Sequence, residues 1–112
     1  MRGLAVAIAV ASAACGSEAS CPRDLPASCP TPAPSYQAQV KGLIGTYCGD
    51  CHSPTGQASD RLLDTYDHVF QRRSTVLSFT YSCAMPPAEF PQPTEVERVA
   101  ILGWLVCGAL DD

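Results

Sequence analysis

The chain has 112 residues, a length for one domain with a short extension and too short for a multidomain enzyme. Its seven lysines and arginines are outnumbered by eleven aspartates and glutamates, and this net charge of −4 argues against nucleic acid as a partner. Seven cysteines, an odd number, require an assignment for each thiol.

The first element is an apolar segment, residues 1–14. Arg2 is its only charge, an unbroken apolar run follows at Leu4–Val10, and small residues lead to Cys15. This pattern predicts an export signal and is too short for a membrane span. The letters SAAC resemble a bacterial lipobox, although serine stands where leucine is usual, and ordinary cleavage at the preceding alanines is the alternative. We therefore expect an exported, periplasmic protein whose Cys15 carries a lipid anchor.

Residues 15–34 are rich in proline and cysteine and show no amphipathic period. They are predicted to form an extended tether between the anchor and a folded domain. Cys21 and Cys29 most simply close a small loop inside this tether, although four cysteines allow three connectivities.

Residues 35–112 are predicted to form an all-α domain of three to four short helices. Ser35 is a suitable N-cap for a helix with one apolar stripe, formed by Tyr36, Val40, Leu43, Ile44 and Tyr47. A shorter helix is predicted near Thr65–Arg73. Residues 74–82 have strand propensity, but no second strand exists to pair with them, so a helical turn is expected.

The last predicted helix begins at Thr94, and Glu97 completes a capping box. Its apolar stripe is formed by Val96, Val99, Ala100, Gly103, Trp104 and Cys107, and Gly108 ends the helix. The apolar core of such a domain is thin, which predicts that something other than side chains fills it.

The segment Cys48-Gly49-Asp50-Cys51-His52 follows the first predicted helix. Its C-x-x-C-H spacing is the attachment signature of c-type haem. Two thiols one helical turn apart can add to the two vinyl groups of one porphyrin, and the adjacent histidine can then bind iron through Nε2. The alternatives are a thioredoxin-like pair, which expects a βαβ context, a zinc site, which needs two further ligands, and a plain disulfide.

The order of helix, CxxCH, loop, short helix, Met-Pro and C-terminal helix resembles that of small class I cytochromes c. The resemblance covers residues 35–110 and implies a cytochrome c-like fold around one haem c. It also implies covalent attachment through Cys48 and Cys51, with the iron held between His52 and Met85. The other methionine of the chain is Met1.

More narrowly, the segments "CHSPTGQ", "LLDTYDHV", "CAMPP" and "GWLVCGAL" resemble those of exported cytochrome-like lipoproteins of myxobacteria and related bacteria. This resemblance implies a disulfide between Cys83 and Cys107. If Cys15 carries lipid and the CxxC thiols hold haem, Cys21 and Cys29 are left as the second pair.

Other candidates are weaker. His68 could be an alternative axial ligand, but a histidine on a short helix is expected at the surface. Arg61, Arg72 or Arg73 could pair with the haem propionates, because a guanidinium matches carboxylate geometry, and the sequence does not choose among them.

The function that the resemblance implies is one-electron transfer with redox partner proteins. Both axial positions would be closed, so a monomeric electron carrier is expected and not an enzyme. One alternative is a haem enzyme or gas sensor with a labile sixth ligand, in which Met85 only packs. The other is a disulfide-stapled lipoprotein that acts as a binding module without haem.

Overall fold

The structure is a computed structural model that describes Gly3 and residues 25–112. This part of the chain contains helices and no strands, which confirms the all-α class. Three predicted features lie outside the described residues: the signal segment apart from Gly3, the lipidation candidate Cys15, and Cys21. In the described part, no helix combines the length and hydropathy that crossing a membrane requires.

The first helix starts with a π-helical turn, Tyr36–Val40, and continues as helix α1, Lys41–Tyr47. Ser35 is its N-cap as predicted, because its hydroxyl oxygen accepts a hydrogen bond from the backbone N–H of Ala38 at 3.1 Å. The predicted stripe faces the core, with three of its members buried, namely Tyr36, Val40 and Ile44.

Two short helices follow the CxxCH segment: α2, Tyr66–Gln71, and α3, Arg73–Tyr81. The hydroxyl of Thr65 caps α2 by accepting from the backbone N–H of His68 at 3.2 Å. Helix α3 covers most of residues 74–82, so the expectation of helix over strand is confirmed there.

Helix α4, Glu95–Val106, has the predicted capping box. The Thr94 hydroxyl accepts from the backbone N–H of Glu97 at 3.1 Å, and the Glu97 carboxylate accepts from the backbone N–H of Thr94 at 2.9 Å. Gly108, with φ 98°, follows the helix in the left-handed region that glycine tolerates.

The predicted stripe of α4 is wrong at its first two positions, since Val96 is 78% exposed and Val99 is 39% exposed. Helix α4 packs against α3 and the π-helical turn through a face that contains Arg98, Ile101 and Leu105, all of which are buried. Three later members of the predicted stripe, Ala100, Gly103 and Trp104, are buried as expected. The buried face also contains Arg98, which a search for apolar periodicity does not find.

An aromatic cluster joins the helices in the core. The rings of Tyr36 and Trp104 stack with centroids 5.3 Å apart, and Tyr66 meets Tyr36 edge-on at 5.2 Å. The polar tips of two of these residues bond to the backbone after α4: Trp104 Nε1 donates to the carbonyl of Leu110 at 2.8 Å, and the Tyr66 hydroxyl donates to that of Ala109 at 2.7 Å.

The disulfide connectivity differs from the predicted one. Cys29 is bonded to Cys107, so both predicted pairs, Cys83 with Cys107 and Cys21 with Cys29, are wrong. Cys83 is also disulfide-bonded.

Packing of the proline-rich segment explains this connectivity. An ideal Cβ on Gly103 of α4 would lie 3.2 Å from Cγ of Pro30 and 3.3 Å from Cγ of Pro34. The two proline rings therefore pack against the helix at Gly103, where there is no side chain. This packing brings Cys29 to the end of α4, where Cys107 lies. The C-terminal part of the predicted tether is thus attached to the helical domain.

Candidate functional site

A cavity of about 470 Å³ lies between the CxxCH segment, α3, α4 and the loop that joins these two helices. Its volume is within the range of small-molecule and cofactor sites. Four residues singled out in the sequence line it together: Cys48, Cys51, His52 and Met85. Much of the remaining wall is apolar, with contributions from Leu63, Val76, Phe79, Pro86, Phe90 and Ile101.

Cys48 and Cys51 are free thiols, and within residues 25–112 no other cysteine is free. Burial raises the pKa of the Cys48 thiol to about 11, although the nearby Arg98 guanidinium acts in the opposite direction. A thioredoxin-like pair needs a lowered thiol pKa, so this environment disfavours that alternative. A neutral group such as a thioether suits the buried position of Cys48 better than a thiolate.

Backbone hydrogen bonds fix the CxxCH segment. The N–H of Cys48 continues the first helix by donating to the Ile44 carbonyl at 2.8 Å, and the N–H of His52 donates to the Cys48 carbonyl at 3.0 Å. The following turn closes tightly on the segment, because a Cβ on Gly56 would overlap the carbonyl oxygen of Cys51. Glycine at position 56 therefore allows the loop to fold back beside the two thiols.

His52 has a defined ring orientation. Its Nδ1 lies 2.6 Å from the backbone carbonyl oxygen of Arg61, and its own carbonyl accepts from the N–H of Leu63 at 2.8 Å. Because a carbonyl can only accept, Nδ1 carries the hydrogen of this bond, and in the neutral imidazole Nε2 keeps its lone pair. This is the arrangement that metal-binding histidines use.

Met85 lies in the loop between α3 and α4 and is half-buried. Its backbone N–H donates to the carbonyl of Phe79 near the end of α3 at 3.2 Å. The loop thereby brings a thioether to the same cavity as the CxxCH residues, although the two segments are far apart in sequence.

Arg98 is a site residue that the sequence analysis missed. It is 0% exposed and lines the cavity. Its Nη1 donates to the carbonyls of Thr80 and Met85 at 3.1 and 3.2 Å, and its Nη2 donates to Oε1 of Gln92 at 3.0 Å. Its Nε is buried without a hydrogen-bond partner. Arg98 lies three positions before Ile101 and seven before Leu105, both of which are buried. This helical spacing is the signal in the sequence that could have predicted its burial.

The unpaired Nε provides a test of whether the cavity fits a bound group. A buried donor without a partner is costly, and a ligand with acceptor atoms could satisfy it. Haem carries carboxylates as well as an apolar ring, and the cavity wall is largely apolar and includes the cationic side chains of Arg61, Arg72 and Arg98. The residues present are therefore compatible with haem.

The three arginines named from the sequence differ in position. Arg61 and Arg72 line the cavity, whereas Arg73 lies over the ring of Phe70 at 4.1 Å. Arg61 is exposed, with its Nε 3.5 Å from the carboxylate of Asp60. A propionate could meet either of the first two, and the structure does not place Arg73 at the cavity.

His68 does not line the cavity. This agrees with its expected position at the surface. Its Nδ1 is 2.6 Å from a carboxylate oxygen of Asp64, one helical turn earlier. This pairing gives the imidazole a partner on the protein surface, so the structure favours a surface role over axial ligation.

In the described part of the chain, no three His, Cys, Asp or Glu side chains form a group that could hold a metal ion. Comparisons with protein-family models, with curated proteins and with solved structures found no match to this chain. The case for a function therefore depends on the residues and geometry of the cavity.

Proposed function

We propose that the chain is a mono-haem c-type cytochrome domain of the class I arrangement, which transfers single electrons between protein partners. One observation carries this proposal: two free thiols, a histidine with an available Nε2 and a thioether line a single, largely apolar cavity. Each of these groups matches one of the bonds by which c-type haem is held.

In this proposal Cys48 and Cys51 would hold the haem through thioether bonds, and His52 Nε2 and the Met85 sulfur would bind its iron. Bound haem would supply an iron centre that cycles between Fe(II) and Fe(III). The hydrogen bond from His52 Nδ1 to the Arg61 carbonyl orients the ring and increases its basicity. An iron held by one histidine and one methionine has a higher reduction potential than an iron held by two nitrogen ligands.

The largely apolar wall would shield a bound haem from water and so would limit the solvent reorganisation that accompanies a change of charge. If His52 and Met85 both bind the iron, no position on it would be left for a substrate. The proposed role is therefore that of an electron carrier, a monomer that meets redox partner proteins, and not that of an enzyme.

Export belongs to the same proposal. Covalent haem attachment and the Cys29–Cys107 disulfide both suit an oxidising compartment outside the cytosol. We propose periplasmic location with a lipid anchor on Cys15, which would hold the carrier close to membrane-bound partners.

The test is the absorption spectrum and intact mass of the protein co-expressed with a cytochrome c maturation system. We expect the mass of one covalent haem, sharp low-spin bands on reduction, and a far-red sulfur-to-iron band that Met85→Ala abolishes. His52→Ala should destroy the low-spin spectrum, whereas His68→Ala is the matched control and should leave it intact.

The other outcomes are distinct. Absence of a covalent adduct in the wild-type protein would refute the proposal and favour a disulfide-stapled binding module. A haem adduct without the far-red band would keep the attachment site, remove Met85 as a ligand, and favour a sensor or haem enzyme.

A further inference from the structure

The loop between α3 and α4 is short of backbone donors. It contains four prolines, which lack an N–H, at positions 86, 87, 91 and 93. Within this loop the backbone bond from Phe90 N–H to the Pro87 carbonyl, at 3.0 Å, satisfies one acceptor. Its other carbonyls need donors from side chains or solvent.

Gln92 supplies two donors, the hydrogens of its side-chain amide, and three carbonyl oxygens of the loop share them. Its Nε2 lies 3.0 Å from the Pro86 carbonyl oxygen, 2.9 Å from that of Pro87 and 3.1 Å from that of Phe90. The amide orientation is fixed by Arg98, because a guanidinium can only donate and its Nη2 bonds to Gln92 Oε1 at 3.0 Å. The amide nitrogen must therefore face the loop.

Arg98 extends the same network to Met85 itself. Its Nη1 donates to the Met85 carbonyl and to that of Thr80 in α3, so one buried side chain of α4 joins α3 to the loop. The ion pairs found in the described part of the chain involve other residues, Arg61 with Asp60 and His68 with Asp64. The hydrogen bonds to Thr80, Met85 and Gln92 thus account for the placement of Arg98 in the core.

We propose that Arg98 and Gln92 are a positioning pair that keeps Met85 bound as the axial ligand, an inference that rests on the proposed cytochrome function. A methionine side chain is flexible and its thioether is a weak ligand, so the ligand is retained only when its backbone is held in place. The pair holds the carbonyl of Met85 and those of Pro86, Pro87 and Phe90 in the same loop. Without it, the sixth position opens to exogenous ligands.

A simple charge effect makes a different prediction. A buried cation near the cavity would shift the reduction potential whether or not it contacts the loop. Gln92 is neutral, so loss of Met85 ligation on its substitution separates positioning from charge.

The experiment measures carbon monoxide binding to the reduced protein, after mass spectrometry has verified covalent haem. Gln92→Leu removes the amide donors, and Arg98→Lys keeps the charge but loses the forked geometry. Arg73→Lys is the matched control, because Arg73 also donates from its guanidinium to a backbone carbonyl, that of Phe70 at 2.9 Å, but belongs neither to the cavity wall nor to the loop. We expect both loop variants to bind carbon monoxide at least about tenfold faster and to lose the far-red band. Arg73→Lys should give the same carbon monoxide binding rate and the same far-red band as the wild type.

Unchanged carbon monoxide binding and an unchanged far-red band in Gln92→Leu would overturn the positioning role, even if Arg98→Lys failed to fold. Equal effects of Arg73→Lys and Arg98→Lys would also overturn it, since the common factor would then be the loss of a guanidinium and not the contact with the loop. A wild-type protein that carries haem but lacks the far-red band would refute Met85 ligation, and this inference with it. A wild-type protein without haem would refute the proposed function instead.

Discussion

The imidazole Nδ1 of His52 and the backbone carbonyl oxygen of Arg61 are 2.6 Å apart. The acceptor belongs to the main chain, so the orientation of His52 depends on the path of the loop and not on the Arg61 side chain. That side chain is exposed, with its Nε 3.5 Å from Asp60. The two halves of Arg61 therefore have separable roles.

The first prediction concerns the histidine tautomer. We expect nitrogen–proton correlation spectra of the imidazoles to show the His52 proton on Nδ1, both in the wild-type protein and in Arg61→Ala. The substitution keeps the carbonyl acceptor and removes only an exposed ion pair, which contributes little. A His52 proton on Nε2 in the wild type, or a tautomer change in Arg61→Ala, would contradict this assignment.

Local signals predicted much of the fold. The hydroxyl caps at Ser35 and Thr94 and the capping box with Glu97 are present, because these interactions depend on residues within one helical turn. The CxxCH residues and Met85 line one cavity, as the order of motifs implied.

Features that depend on tertiary packing could not be predicted in this way. The pairing of Cys29 with Cys107 follows from the contact of two proline rings with Gly103, and no local pattern encodes that contact. Arg98 was missed for a related reason: a charged residue is normally assigned to the surface, and its burial makes sense only with the loop carbonyls in place.

The second prediction concerns Gly56. Gly56→Ala should lower the free energy of unfolding by about 1–3 kcal/mol, because the new Cβ would overlap the carbonyl of Cys51 and force the loop apart. Gly45→Ala in α1 is the control, since a Cβ there meets nothing within 4 Å, and it should stabilise the helix by about 0.5–1 kcal/mol. Chemical denaturation measures both. Equal stability of the two variants would show that the turn has room for a side chain.

The third prediction concerns the disulfide. Peptide mapping without reduction should recover Cys29 linked to Cys107, and recovery of Cys83 linked to Cys107 would contradict the structure. The bond joins residues 78 apart in sequence. The double substitution Cys29→Ser and Cys107→Ser should therefore lower the free energy of unfolding by about 2–4 kcal/mol. The main reason is that the unfolded chain gains conformational entropy when the cross-link is removed.

The last prediction uses the hydrogen bonds of Glu97. The backbone N–H of Thr94 and the hydroxyl of Tyr47, at 2.8 Å, both donate to its carboxylate and lower its pKa below the ordinary value of 4.5. A lowered folded-state pKa stabilises the protein above pH 4.5, and this contribution is lost as the pH falls through the folded value.

Glu97→Gln keeps an acceptor for the capping box but does not titrate, so its unfolding midpoint should fall less steeply in acid than that of the wild type. Tyr47→Phe removes one donor, so the Glu97 pKa should return towards 4.5, and the stability lost in acid should be smaller and complete at a higher pH. Thermal unfolding between about pH 2 and 7 measures both effects, a window that brackets the carboxylate titration. Parallel acid curves for all three proteins would mean that the Glu97 carboxylate has no stabilising partners, and the link between α1 and α4 through Tyr47 would have to be abandoned.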